Sequence, residues 1–193
     1  MSVEVSPVTP GRFGELATVF GRRGRNASWC WCRLFLGAAN IRTVDGEPDN
    51  REEPRREIES SSIPPGLIAS IDGIPVGWSR IGPRASFPRV LRNRALTRTL
   101  PEDPGAWWVT CFAVDTSSRG RGVGGALLAG VVQFGRDNGA TAVEGHPVDV
   151  DDLEADRVSG SALFTGTLAM FAAARFNEIG RTYRTRPVMR LEF

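Results

Sequence analysis

Apolar and polar positions along the chain change their period several times, and each change marks an element. Val3 to Val8 alternates weakly, as a short strand does, and Phe13, Leu16, Ala17 and Phe20 then recur at the spacing of one helix face. Trp29 to Leu36, WCWCRLFL, is too apolar for a solvated loop and is expected to pack on a core or line a pocket. The charged stretch Asp49 to Ser60 permits a helix and ends at the Ser60-Ser61-Ser62 and Pro64-Pro65 breakers. Leu67 to Ile71 and Ile74 to Ile81 flank Asp72-Gly73, a pair that accepts positive φ and so predicts a hairpin.

Trp107 to Val114, WWVTCFAV, is the most hydrophobic strand candidate and belongs at the centre of a sheet. Val123, Ala126, Leu127, Val131 and Phe134 repeat at helical spacing up to Asn138-Gly139, and Ala142 to Val148 is strand-like again. Residues 107 to 148 therefore read as strand, right-handed crossover helix and parallel strand. Asp149 to Asp156 predicts an acidic surface loop, Ala162 to Arg175 a last helix and Pro187 to Phe193 a final strand. Gly82 to Gly105, with Arg84, Arg89, Arg92, Arg94 and Arg98, is either a solvated connection or a loop facing substrate or phosphate. The sum is an α/β (α+β) chain, one domain over residues 1–193 with a mixed sheet.

Composition narrows what such a domain does. Hydrophobic and charged fractions of 41% and 24% are those of a soluble globular protein, and a formal charge of +2 does not suit a nucleic-acid-coating protein. All 24 basic residues are arginine, which excludes a Walker lysine and a Schiff-base lysine. Cys30, Cys32 and Cys111 are too sparse for a disulfide framework, and with His146 as the only histidine no metal site is expected. The N-terminal sequence lacks the apolar core of a secretion signal, and no run approaches the ~18 apolar residues of a membrane span. A cytoplasmic location with no membrane or nucleic-acid partner is expected.

The chemistry concentrates in SSRGRGVGGALLAG, Ser117 to Gly130. Glycine in a helix interior costs roughly 1 kcal/mol relative to alanine, so Gly120, Gly122, Gly124 and Gly125 before an apolar helix need a compensating reason. A strand, a bend, a glycine cluster and a helix expose successive backbone N–H groups at a helix N-terminus, where an anion is favoured. Any Cβ would hold phosphate oxygens away from those amides, and Arg119 and Arg121 add charge that a diphosphate accepts. Gly120, Gly122 and Gly125 also satisfy the dinucleotide fingerprint, with Glu144 near the position of its ribose-binding acid. That reading fails on spacing, because Asp115 to Arg119 intervene after the strand and too little chain follows residue 148 for a second mononucleotide half.

Val114, four residues, then Arg119-Gly120-x-Gly122-x-Gly124 closely resembles the acetyl-CoA-binding motif of the GNAT acyltransferase superfamily, and the order of elements agrees over nearly the whole chain. The resemblance implies a central, mostly antiparallel sheet with one splayed parallel strand pair flanked by helices. It implies that Arg119, Gly120, Arg121, Gly122, Val123, Gly124 and Gly125 hold the coenzyme pyrophosphate, while the backbone of Phe112, Ala113 and Val114 pairs with the pantetheine arm. It implies acetyl transfer to a primary amine, here of a small-molecule acceptor, by direct attack in a ternary complex, with acetyl-CoA as donor and no metal. The alternative is a non-catalytic acyl-CoA binder or sensor of the same fold.

A base belongs where the splayed strands open. In EGHPVD, strand alternation puts Glu144 and His146 on one face, and either could take the proton of the amine. The family's penultimate helix often carries a tyrosine that protonates the thiolate, and the matching position here is Phe171. Its usual early asparagine is also absent, with Phe164, Thr165 and Thr167 nearby. Cys111 reads as a nucleophile or a buried small hydrophobe, and Trp29, Trp31 and Trp78 as an acceptor wall or core. The identity of the acceptor, the length of the acyl group, and the choice between monomer and homodimer are open at this stage.

Overall fold

The computed structural model describes residues 2–21, 31–36, 42–44, 47–151 and 163–193. Strand β1 (Val3–Pro7) leads through a 3-10 turn at Pro10–Arg12 into α1 (Phe13–Phe20), which buries Leu16 and Val19. A small hairpin, β2 (Arg42–Val44) with β3 (Glu47–Asp49), precedes α2 (Glu52–Ser60), which opens on Glu52 and Glu53, where the helix dipole favours acids. Strands β4 (Gly66–Ile71) and β5 (Ile74–Pro83) form the expected hairpin, with Asp72 and Gly73 at φ 52° and 78°. Gly82 to Gly105 is more ordered than a plain loop: it folds into α3 (Pro88–Leu91) and α4 (Arg94–Thr99), the latter capped by Asn93.

The central strand is β6 (Ala106–Val114), followed by α5 (Val123–Asp137), β7 (Ala142–Gly145), α6 (Leu168–Ala173), β8 (Asn177–Tyr183) and β9 (Arg186–Glu192). Seven strands form one sheet in the order β1-β4-β5-β6-β7-β9-β8, and within it only β6 and β7 run parallel. Helix α5 covers one face, where Leu127, Leu128 and Val131 pack on Leu67, Ala69 and Val143. It lies close because glycines remove side chains at the contact: a Cβ on Gly77 would come within 2.7 Å of Val123, and one on Gly130 within 2.6 Å of Val5. On the other face α1 and α2 bury Leu16, Val19 and Ile58 with Ile68, Trp78 and Cys111, and α3 and α4 bury Val90 and Leu96 against Trp108.

Three boundaries differ from expectation. Strand β7 stops at Gly145 rather than Val148, because Pro147 has no N–H to donate and Val148 bridges to Thr167 instead. The last helix begins only at Leu168, where the Thr167 side chain accepts from Met170 N–H; the expected start at Ala162 lies outside the described residues. Strand β8 was not anticipated, since NEIGRTY has no apolar face; it is an edge strand, and Tyr183 is exposed. Among the described residues no helix is long and apolar enough to cross a membrane.

Candidate functional site

The glycine loop has the geometry an anion needs. Asp115 accepts from Ser117 N–H at 3.0 Å and closes a 3-10 turn, after which Gly120 and Gly122 adopt φ of 73° and 80°. Side chains rarely take that conformation, so these two positions select glycine on backbone grounds alone. The helical ladder of α5 starts with Ala126 N–H on Gly122 C=O at 3.0 Å, which leaves the N–H groups of Val123, Gly124 and Gly125 without intrahelical acceptors. A Cβ built on Gly120, Gly122 or Gly125 would meet nothing within 4 Å, so the cradle is open as well as bare. Arg119 and Arg121 stand exposed beside it. These residues fit a diphosphate.

From that loop the parting of β6 and β7 runs across the sheet. The two strands pair only from Ala106↔Ala142 to Trp108↔Glu144. Just beyond, β6 carries an extra residue: Arg80 pairs with Cys111 and Ile81 with Val109, leaving Thr110 without a partner position. Val109 and Phe112 consequently pack on the same α5 face with two residues between them. Of the edge expected to receive a pantetheine arm, Phe112 is already engaged, because its N–H donates to the Phe164 carbonyl at 2.6 Å. The Val114 N–H shares that edge by the strand period of two. Phe171, where the sequence resemblance leads one to expect a tyrosine, is fully buried against Phe112 and Phe176.

Both candidate bases lie on the opposite face from α5, as alternation predicts, yet both are occupied. Glu144 is fully buried; Arg84 Nη1 donates to its two oxygens at 3.0 and 2.8 Å, and Arg190 Nη1 donates to Oε1. Burial pushes its carboxyl above the ordinary range, against the opposing pull of Arg84 and Arg190. The same cluster binds Arg190 Nη2 to Asp103 at 2.6 Å and Arg84 Nη2 to the carbonyls of Pro101 and Asp103. Glu144 thus differs from an accessible base: it is the anion that bolts the 82–105 segment to β7 and β9. Arg84 in that segment is structural, whereas Arg89, Arg92, Arg94 and Arg98 are solvated.

His146 lies within 2.7 Å of Thr182 Oγ1 through Nε2 and 3.4 Å of Arg186 Nη2 through Nδ1. Since a guanidinium only donates, Nδ1 is the acceptor and Nε2 carries the proton. Burial, with the Arg186 charge adding to it, pushes the ring down to about 4. The unfolded chain therefore binds a proton below pH ~6.5 that the folded ring refuses, so stability is full above that pH and falls as pH drops toward 4. We expect His146→Gln to remove up to about 3 kcal/mol of that acid dependence, measured as the difference between parent and variant in urea unfolding at pH 4.5 and 7.

On the α1 and α2 side, Arg33, Leu36, Glu53, Arg56, Glu57 and Ser60 line a cavity of about 430 Å³. Glu57 pairs with Arg80 Nη2, and Arg80 is buried opposite Cys111, just past the extra residue in β6. Sequence reasoning missed Glu57 and Arg80, because a charge in a charged helix and an arginine in an apolar strand give no sign that they will meet. Trp31 and Trp78 are core, at 1% and 2% exposure; Trp29 and Cys30 lie outside the described residues. Thr165 accepts from Arg186 at 3.1 Å and Thr167 caps α6, so neither replaces the missing asparagine as an open group.

Comparison with known proteins adds a family. The model of the acetyltransferase (GNAT) family matches residues 29–158. The fold is similar to that of a ribosomal-protein-alanine N-acetyltransferase from Brucella melitensis, at 15% identity and a TM-score of 0.56 over 98% of this chain and 99% of that one. It is similar at 17% identity and a TM-score of 0.55, over the full length of both chains, to the polyamine N-acetyltransferase of Drosophila melanogaster, which forms N-acetylagmatine. The PaiA N-acetyltransferase of Thermoplasma acidophilum, solved in complex with coenzyme A, matches at 14% identity and 0.55, again over the full length of both. No curated relative matches the chain.

Proposed function

The chain belongs to the acetyltransferase (GNAT) family, and from that premise we propose that it transfers the acetyl group of acetyl-CoA to a primary amine of a small-molecule acceptor by direct attack in a ternary complex. The observation that carries this reading is the open cradle of Val123, Gly124 and Gly125 N–H groups behind Gly120 and Gly122 at positive φ. Those amides with Arg119 and Arg121 hold the pyrophosphate, and the arm lies along the outer edge of β6 at Val114, since the backbone groups of Ala113 face β5. For the arm to use the Phe112 N–H too, the Phe164 carbonyl has to leave it. The acceptor approaches from the α1 and α2 side, where its ammonium group would compete with Arg33 for Glu53 and with Arg80 for Glu57.

Proximity and orientation accelerate attack in such a ternary complex, and a backbone N–H polarising the thioester carbonyl adds to them. Of the two base candidates, Glu144 has both oxygens held, so His146 is the one able to take the proton, by releasing Arg186 from Nδ1. A ring at about 4 is neutral at every physiological pH, so kcat/KM falls only in acid as pH drops below about 5. An inflection near 6.5 in the pH–rate profile would instead show a base in an ordinary solvated setting.

Calorimetry with acetyl-CoA, followed by thiol release across an amine panel, tests the whole reading. Coenzyme binding with release stimulated by at least one amine is the expected result. Tight binding with no release from any amine would support the non-catalytic sensor, a reading favoured by Phe171, which offers no hydroxyl to the leaving thiolate.

A further inference from the structure

Two thiols meet on the α1 face of the sheet, in chemistry that acyl transfer does not use. Cys111 Sγ lies 2.8 Å from Cys32 Sγ, although 79 positions separate the two residues in the chain. That separation is shorter than the contact of two non-bonded carbon atoms, about 3.5–4.0 Å, and exceeds a disulfide bond of about 2.04 Å by less than ~1 Å. Trp78 Nε1–H donates to Cys32 Sγ at 3.0 Å, a contact that favours a thiolate there. Cys32 is half-buried and reachable, while Cys111 is buried behind it among Trp31, Trp78 and Ile68. Trp31 and Cys32 take φ of 43° and 60°, so the chain holds the thiol in place at a conformational cost.

We propose that Cys32 and Cys111 are a reversible oxidation site, closing to a disulfide that pins residues 31–36 to the central strand. With a peroxide as oxidant, Cys32 thiolate attacks one peroxide oxygen; an S–O bond forms, the O–O bond breaks, and the departing hydroxide takes a proton to become water. Cys111 then attacks the Cys32 sulfenic sulfur; the S–S bond forms, the S–O bond breaks, and the oxygen leaves as a second water carrying the Cys111 proton. Two thiols are oxidised and one peroxide is reduced to two waters, and a dithiol reductant reverses the change. The bond ties the cavity wall that carries Arg33 and Leu36 to β6, one residue from Phe112. The oxidation site stands whether or not the protein transfers acetyl groups.

The test is intact-mass analysis and non-reducing peptide mapping of the full chain in a Cys30→Ser background, before and after hydrogen peroxide. We expect a mass lower by two hydrogen atoms, a Cys32–Cys111 cross-linked peptide, and a Tm raised by about 5–10 °C that dithiothreitol reverses. Cys32→Ser and Cys111→Ala are each expected to abolish the cross-link, and in the Cys111→Ala protein Cys32 gains oxygen instead. If the Cys111 variant fails to fold, the cross-linked peptide in the Cys30→Ser protein still decides the matter. Peroxide that oxidises a free thiol standard while leaving both cysteines reduced, or that adds oxygen to them without a cross-link, would overturn the proposal.

Discussion

Gly122→Val is expected to weaken coenzyme A binding by about 100-fold or more, because two effects act on the same few amides. Glycine at φ 80° is replaced by a β-branched residue that this conformation excludes, so the turn rebuilds and the Val123 and Gly124 N–H groups lose their aim. Each charge-assisted hydrogen bond to an oxyanion is worth about 1.5–3 kcal/mol, and 1.4 kcal/mol is a factor of ten in affinity, so losing two reaches that figure. Gly125→Val separates the causes. Its backbone is helical and its Cβ meets nothing within 4 Å, so it adds bulk on the cradle without strain. Calorimetric titration with coenzyme A, paired with thermal unfolding in its absence, is the measurement. Both variants should unfold within a few degrees of the parent and bind poorly; a Gly122→Val, Gly124→Val double variant that kept the parent's affinity would end the account.

Glu144→Ala is expected to destabilise the protein by about 3–5 kcal/mol, the usual consequence of removing one partner from a buried ion cluster. The loss comes from what remains: Arg84 and Arg190, both mostly buried, would face each other without the anion that binds them. Glu144→Gln keeps the shape and part of the hydrogen bonding, so it should fall between alanine and the parent. Chemical denaturation gives the stability, and coenzyme titration of the folded variants gives the function. A structural anion predicts lost stability with coenzyme affinity retained. A catalytic base predicts the reverse for Glu144→Gln, with stability kept and turnover lost.

Much of this arrangement is legible in the linear chain. The hairpin follows from Asp72-Gly73 between two apolar runs, the parallel pair from a strand, an amphipathic helix and a strand in succession, and the anion cradle from glycines that no helix would otherwise tolerate. These are local matters, decided by φ, by helical or strand period, and by which residues lack a side chain. The faces of Glu144 and His146 were local too, since alternation alone assigns them.

What those side chains do once on their faces was decided by residues far away in sequence. Arg84 and Arg190 reach Glu144 from 60 and 46 positions off, and Arg186 reaches His146 from 40, turning two candidate bases into partners of guanidinium groups. The extra residue at Thr110 left no trace in a strand that is apolar on both faces, although it is where β6 departs from β7. Cys32 and Cys111 became a pair for the same reason. Local sequence sets the conformations each segment can adopt, whereas burial, ion pairing and thiol contact depend on which segments the folded sheet and its helices bring within a few ångströms.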